Sequence, residues 1–153
     1  MLVSCFIYGG FLYHDIQTSK TTGFSYTKNK VLHETELQEV DSISRFQGKT
    51  EYHVVRGSTK KGEDKFVFVP IDKESEKLTI IDASKMISKK NIMEQWKQQC
   101  NNCELVEIIP AMVKDKPLWE LTYKDSSGRY IFDYLSIYDG TRYEQFRLKS
   151  MFN

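Results

Sequence analysis

The sequence lacks the motifs by which common enzyme classes are recognised. It has no Gly-x-Ser-x-Gly elbow, no Gly-x-Gly-x-x-Gly, no Gly-x4-Gly-Lys-Ser/Thr and no His-Glu-x-x-His. The strained nucleophile turn, the dinucleotide and triphosphate cradles and the zinc-protease helix are thereby excluded. Gly57 to Gly62 has the outline of a phosphate loop. It lies between two strand-like runs, however, without the following helix whose N-terminus would hold the anion, and it reads as a hairpin turn. Asp and Glu are dispersed along turns and strand edges, with no pair identifiable at glycosidase separation. No catalytic, cofactor-binding or metal-ligating residue is assigned, and no small-molecule substrate is expected. The alternative from the enzyme class is a hydrolase or isomerase using a cavity under a curved sheet.

Excess charge is also missing. Twenty-two Lys and Arg against 21 Asp and Glu leave a net charge of +1, which argues against a nucleic-acid partner, since reading phosphates needs clustered, unbalanced cations. Lys60-Lys61 and Lys89-Lys90 read as solvated positions. Eight Gly and three Pro exclude collagen-like or low-complexity sequence. Cysteine is scarce and odd in number: Cys5, Cys100 and Cys103. A redox Cys-x-x-Cys opens a helix, where the dipole lowers the thiol pKa, whereas Cys100 and Cys103 follow one. His14, His33 and His53 lack ligand spacing. The pair therefore reads as packing or end-of-helix cysteines, ahead of a local disulfide and of redox or metal chemistry.

No apolar run reaches the roughly 20 residues of a spanning helix. The longest, Met1 to Tyr13, is uncharged and mostly apolar and precedes the polar stretch His14 to Lys20. It reads as part of a membrane segment without its basic flank, and the natural start is expected upstream of Met1. The alternatives are a buried N-terminal helix or strand, and a lipoprotein cleavage site at Leu2-Val3-Ser4-Cys5.

What the chain does have is a unit that occurs twice. Tyr52 to Gly62 followed by Phe66 to Val69, and Leu118 to Gly128 followed by Tyr130 to Leu135, are each a strand, a Gly-closed turn and a second strand. In the second copy Asp125 opens a type I turn and Gly128 closes it where φ must turn positive. Tyr26 to Gln38 is expected to be helical, with strands over Ser42 to Gln47, Thr50 to Arg56, Lys65 to Ile71 and Lys77 to Ile81. Ser88 is placed to cap a second helix, with Ile87 and Ile92 as a hydrophobic staple and Ile92, Met93, Trp96 and Cys100 on one face. Strands follow over Glu104 to Met112, Pro117 to Lys124, Arg129 to Ser136 and Tyr143 to Leu148.

The fold class is thus α+β, with tandem cystatin/PepSY-like units, each one helix on a four-stranded antiparallel sheet, after the N-terminal apolar segment. The expected division is residues 1–24, 25–82 and 83–150. Units of about 55 residues are marginal alone and should pack on one another. In the second sheet Tyr130, Phe132, Tyr134 and Tyr138 alternate with Ile131, Leu135 and Ile137, and the aromatic face is expected to be covered by the first unit, with a partner as the alternative. Tyr134, Tyr138, Arg142 and Tyr143, near the turn Asp139-Gly140, are the candidate partner-binding residues, because interface anchors are typically Tyr, Trp or Arg.

Val40 to Gly62, Phe68-Val69-Pro70 and Leu118 to Tyr130 resemble, in order and spacing, the YpmB (TseB-like) family of Gram-positive bacteria, over about Glu39 to Arg147. The resemblance implies a single-pass membrane protein with an extracytoplasmic tandem domain. It further implies a non-enzymatic regulator of peptidoglycan synthesis and cell elongation that contacts a penicillin-binding protein, with no catalytic residues to transfer. Cys100 and Cys103 stand outside that pattern. A PepSY-type inhibitor or chaperone of a secreted protease is the alternative.

Overall fold

The computed structural model describes residues 23–71 and 77–148. The apolar start, with its membrane and lipoprotein readings, Cys5 and His14, lies outside the described residues, as do residues 72–76. Among the described residues no helix is long and apolar enough to cross a membrane.

Helix α1 (Phe24–Glu34) leads into β1 (Leu37–Gln47), β2 (Glu51–Thr59), β3 (Asp64–Pro70) and β4 (Thr79–Asp82). After a single 3-10 turn at Ala83–Lys85 come α2 (Lys89–Gln99), β5 (Glu104–Val113), β6 (Lys116–Lys124), β7 (Tyr130–Ser136) and β8 (Arg142–Arg147). The strands form two antiparallel sheets, ordered β1-β2-β3-β4 and β5-β6-β7-β8. The expected order of helix, four strands, helix, four strands is present, and so are both hairpins. Gly128 takes φ 77°, and Asp125 Oδ1 accepts from the Ser127 and Arg129 amides at 2.9 and 3.0 Å. The Ser127 hydroxyl, donating to the same oxygen at 2.7 Å, and then the Arg129 and Ser127 amides and the Arg129 guanidinium hold its carboxyl well below the ordinary range.

The first helix is shorter than its composition suggests, ending at Glu34 rather than Gln38, and β1 starts at Leu37 rather than Ser42. Thr35 ends it. The residue is extended, and its amide and hydroxyl both donate to the Val31 carbonyl, at 3.0 and 2.6 Å. Leu37 is then buried against the sheet instead of extending a helical stripe.

The first sheet is buried on both faces because successive residues of its central strands are apolar. Val55, Val67 and Val69 close over Val31 of α1. Tyr52, Val54 and Phe68, on the alternate positions of the same strands, point the other way and join Phe46 and Ile81 in a core shared with the second half. Period-2 alternation sends these neighbours to opposite faces. The two halves meet where β1 and β2 pack against β5. On the α1 side, buried His53 Nδ1 bonds the Thr27 hydroxyl at 2.6 Å, and the Phe24 ring stands edge-on at 5.0 Å.

Helix α2 closes one face of the second sheet. Ser88 Oγ accepts from the Asn91 amide at 3.1 Å, as an N-cap should. Ile92 and Trp96 are buried, and the Trp96 ring meets Tyr123 edge-on at 5.6 Å. Gly140, at φ 76°, lets the loop after β7 pass close beneath the helix: a Cβ there would stand 2.9 to 3.2 Å from the side-chain ends of Gln95, Ile92 and Ile87. Trp119 Nε1 donates to the Ile87 carbonyl at 3.1 Å, tying the helix entry to β6.

Two expectations are corrected. Cys100 and Cys103 form a disulfide rather than standing as packing cysteines. Asn102, at φ 60°, turns the chain so that their Cα atoms lie 5.7 Å apart, within bridging range. The aromatic face of the second sheet is covered only in part: the halves join along β5, Tyr134 packs at the margin of the shared core, and Tyr130 and Phe146 remain 41% and 49% exposed.

Trp96→Ala should destabilise the fold by roughly 3 to 5 kcal/mol, the cost of a large aromatic cavity. Replacing both Cys100 and Cys103 with Ser should cost about 2 kcal/mol, because the closed loop is short; denaturant melts give the order. Acid should weaken the α1 contact. Burial, followed by the nearby Arg45 charge, lowers the His53 pKa below its ordinary 6.5. The unfolded chain therefore takes up the proton first, and stability present above that value is lost as pH falls below it. The melting midpoint should drop between pH 7.5 and pH 5.5, and His53→Gln should flatten that drop.

Candidate partner-binding face

The turn at Asp125 sets the register that builds the outer face of the second sheet. It pairs Lys124 with Tyr130, hence Thr122 with Phe132 and Glu120 with Tyr134. Strand β8 adds Phe146 beside Phe132 and Glu144 beside Tyr134. From β5 come Glu107 beside Thr122 and Ile109 beside Glu120. One row therefore reads Ile109, Glu120, Tyr134, Glu144, and the next Glu107, Thr122, Phe132, Phe146. Tyr134 and Phe146 meet edge-to-face across the diagonal at 6.0 Å.

This face is aromatic and acidic together. Burial, then the Glu107 charge, raises the Glu120 pKa against the lowering effect of the Tyr134 hydrogen bond. Burial, the bond to Glu120 and the charges of Glu120 and Glu144 push the Tyr134 hydroxyl far up. Lys124 is drawn aside to Glu104, at 3.5 Å, and over the Tyr130 ring, at 5.4 Å. Among the described residues no Lys or Arg forms an ion pair with Glu107, Glu120 or Glu144. Nor do any three His, Cys, Asp or Glu there converge to hold a metal ion.

The four residues singled out from sequence are divided by the fold. Tyr134 sits at the centre of the outer face. Tyr138 lies in the turn after β7, 53% exposed. Arg142 points to the α2 side, where its Nε and Nη2 donate to the two oxygens of buried Asp133, both at 2.8 Å. Tyr143 falls at the register shift between β7 and β8, half-buried, with Lys116 Nζ 4.8 Å from its ring centre. Glu107, Glu120, Glu144, Tyr130, Phe132 and Phe146 were not singled out as site residues. The hairpin turn would have placed Glu120 opposite Tyr134, but no local signal aligns β5 and β8 beside them.

Known proteins resemble the chain in both sequence and structure. A probable cell wall elongation regulator TseB from Bacillus subtilis (strain 168) is 31% identical over 129 residues, spanning 84% of this chain and 80% of the relative. The chain belongs to the TseB-like cell wall elongation regulator family. The family's domain description, Cell wall elongation regulator TseB-like domain, matches residues 27–70, which run from α1 through β3. The solved structure of the YpmB protein from Bacillus subtilis superposes with a TM-score of 0.77 at 30% identity, covering 83% of this chain and 98% of that one.

Arg142→Ala should lower stability by roughly 2 to 3 kcal/mol, because it leaves the Asp133 carboxylate buried without its guanidinium partner; the half-exposed arginine keeps the loss below that of a fully buried pair. Tyr138→Ala should leave the denaturation midpoint within about 0.5 kcal/mol of the parent, as an exposed turn substitution does.

Proposed function

We propose that this protein is a non-enzymatic, membrane-tethered regulator of cell-wall elongation whose folded part faces the extracytoplasmic side and acts by contacting a penicillin-binding protein. Its family membership supports the cell-wall role, and the apolar stretch Met1 to Tyr13 supports the tether. The observation that carries the contact is the outer face of the second sheet, where Glu107, Glu120 and Glu144 surround Tyr134 without ion-pair partners among the described residues. An open aromatic surface with uncompensated carboxylates fits a cationic segment of the partner: Tyr and Phe supply desolvated anchors and the acids set register and approach. No bond is made or broken in this reading; regulation is occupancy.

The test is chemical cross-linking in intact cells followed by recovery of the protein. The parent should bring down a penicillin-binding protein, and Tyr130→Ala/Phe146→Ala, both exposed and costing little stability, should reduce recovery at least tenfold and alter cell length. Undiminished recovery with these changes would move the contact elsewhere, and recovery of a secreted protease instead would replace the partner. Protease added to protoplasts should digest residues beyond about Ser25; complete protection would refute the extracytoplasmic placement.

A further inference from the structure

On the opposite face of the second sheet, a cleft opens between α2 and strands β7 and β8. It consists of two hollows of about 250 and 390 Å³ that share Trp96, Gln99 and Arg142. The larger is lined by three guanidinium groups, Arg129, Arg142 and Arg147.

Each guanidinium is fixed by the same edge. Arg129 presents Nε and Nη2 to Asp125 Oδ2, at 2.9 and 2.8 Å. Arg142 presents the same two nitrogens to Asp133, at 2.8 Å each. Arg147 presents them to Gln145 Oε1, at 3.2 and 3.1 Å. Among the described residues the Nη1 side of all three makes no hydrogen bond. Asp133 is buried and Asp125 is committed to its own turn, so both carboxylates serve as backing for the forks. Three guanidiniums against two carboxylates leave one positive charge in excess, and among the described residues Arg147 has no carboxylate partner. Gln145 Nε2 also reaches the Tyr123 hydroxyl, at 3.4 Å, and the exposed Gln99 amide stands at the rim.

Planar forks held along one edge and free on the other are the arrangement that recognises an oxyanion bidentately, with the ordering of the side chains already in place. We propose that this cleft binds an oxyanion group, a carboxylate or a phosphate, through the free sides of Arg129, Arg142 and Arg147. The site is separate from the outer face and does not depend on the partner proposed there.

Isothermal titration of the full chain at low ionic strength, with citrate and with pyrophosphate as probes, tests it. Saturable binding of at least one probe is expected, and the tighter one assigns the source as carboxylate-bearing or phosphate-bearing. Arg147→Gln and Arg129→Gln should each weaken binding roughly tenfold. Gln99→Glu leaves every arginine contact intact yet places a negative charge at the rim, and should abolish binding with the melting midpoint unchanged. Lys60→Gln/Lys61→Gln, in the β2–β3 turn, should leave it as in the parent. Absence of saturable heat for both probes, or an equal loss in the Lys60/Lys61 variant, would overturn the proposal.

Discussion

The fold depends on one sheet having no free face. In β2 and β3 neighbouring residues are apolar, and the pleat sends Val55, Val67 and Val69 to one side and Tyr52, Val54 and Phe68 to the other. A four-stranded sheet with two apolar faces needs a cover on each. Helix α1 is one and the second half of the chain is the other, so the two halves are joined through a common core rather than by a hinge. The buried His53–Thr27 contact belongs to the same constraint, because it holds α1 over β2 through an imidazole whose protonation burial disfavours.

The second sheet is built differently, and its asymmetry is what makes it a candidate for function. One face is closed by Ile92 and Trp96 of α2, which the loop at Gly140 approaches closely with a positive φ and no Cβ in the way. The other carries Tyr130, Phe132, Tyr134 and Phe146 with three carboxylates, and the shared core reaches only its Tyr134 margin. Junction along β5 satisfies the first sheet while leaving this surface open. The contrast in charge between the two faces, acids outside and arginines in the cleft beneath α2, follows from alternation along β7 and β8: Asp133 draws Arg142 to one side, and Tyr134 and Glu144 project to the other.

Local chemistry made much of this legible beforehand. The Asp125–Gly128 turn, the Ser88 cap and the Ile92–Trp96 stripe each act within a few residues, and each is found where the sequence places it. The end of α1 was not legible from composition, because Glu36, Leu37 and Gln38 are acceptable helix formers and the chain is turned out at Thr35 by a side-chain bond and by the burial of Leu37 on the sheet. The disulfide was also obscured: spacing permits Cys100 and Cys103 to bridge, but the left-handed turn at Asn102 brings them together.

The sequence by itself determined the element order, the hairpin registers and which residues share a strand face, because those follow from periods of 2 and 3.6 and from turn chemistry acting over short distances. Which faces are covered was decided only by tertiary structure. Alternating Tyr and Phe read the same whether the neighbouring unit or solvent lies above them, and the difference was set by the docking of β1 and β2 on β5. The same holds for the candidate site. Four residues close together in sequence were parted by the pleat, and Glu107, Glu120 and Glu144, from three different strands, were gathered around Tyr134 by cross-strand registers of which local sequence specifies only one.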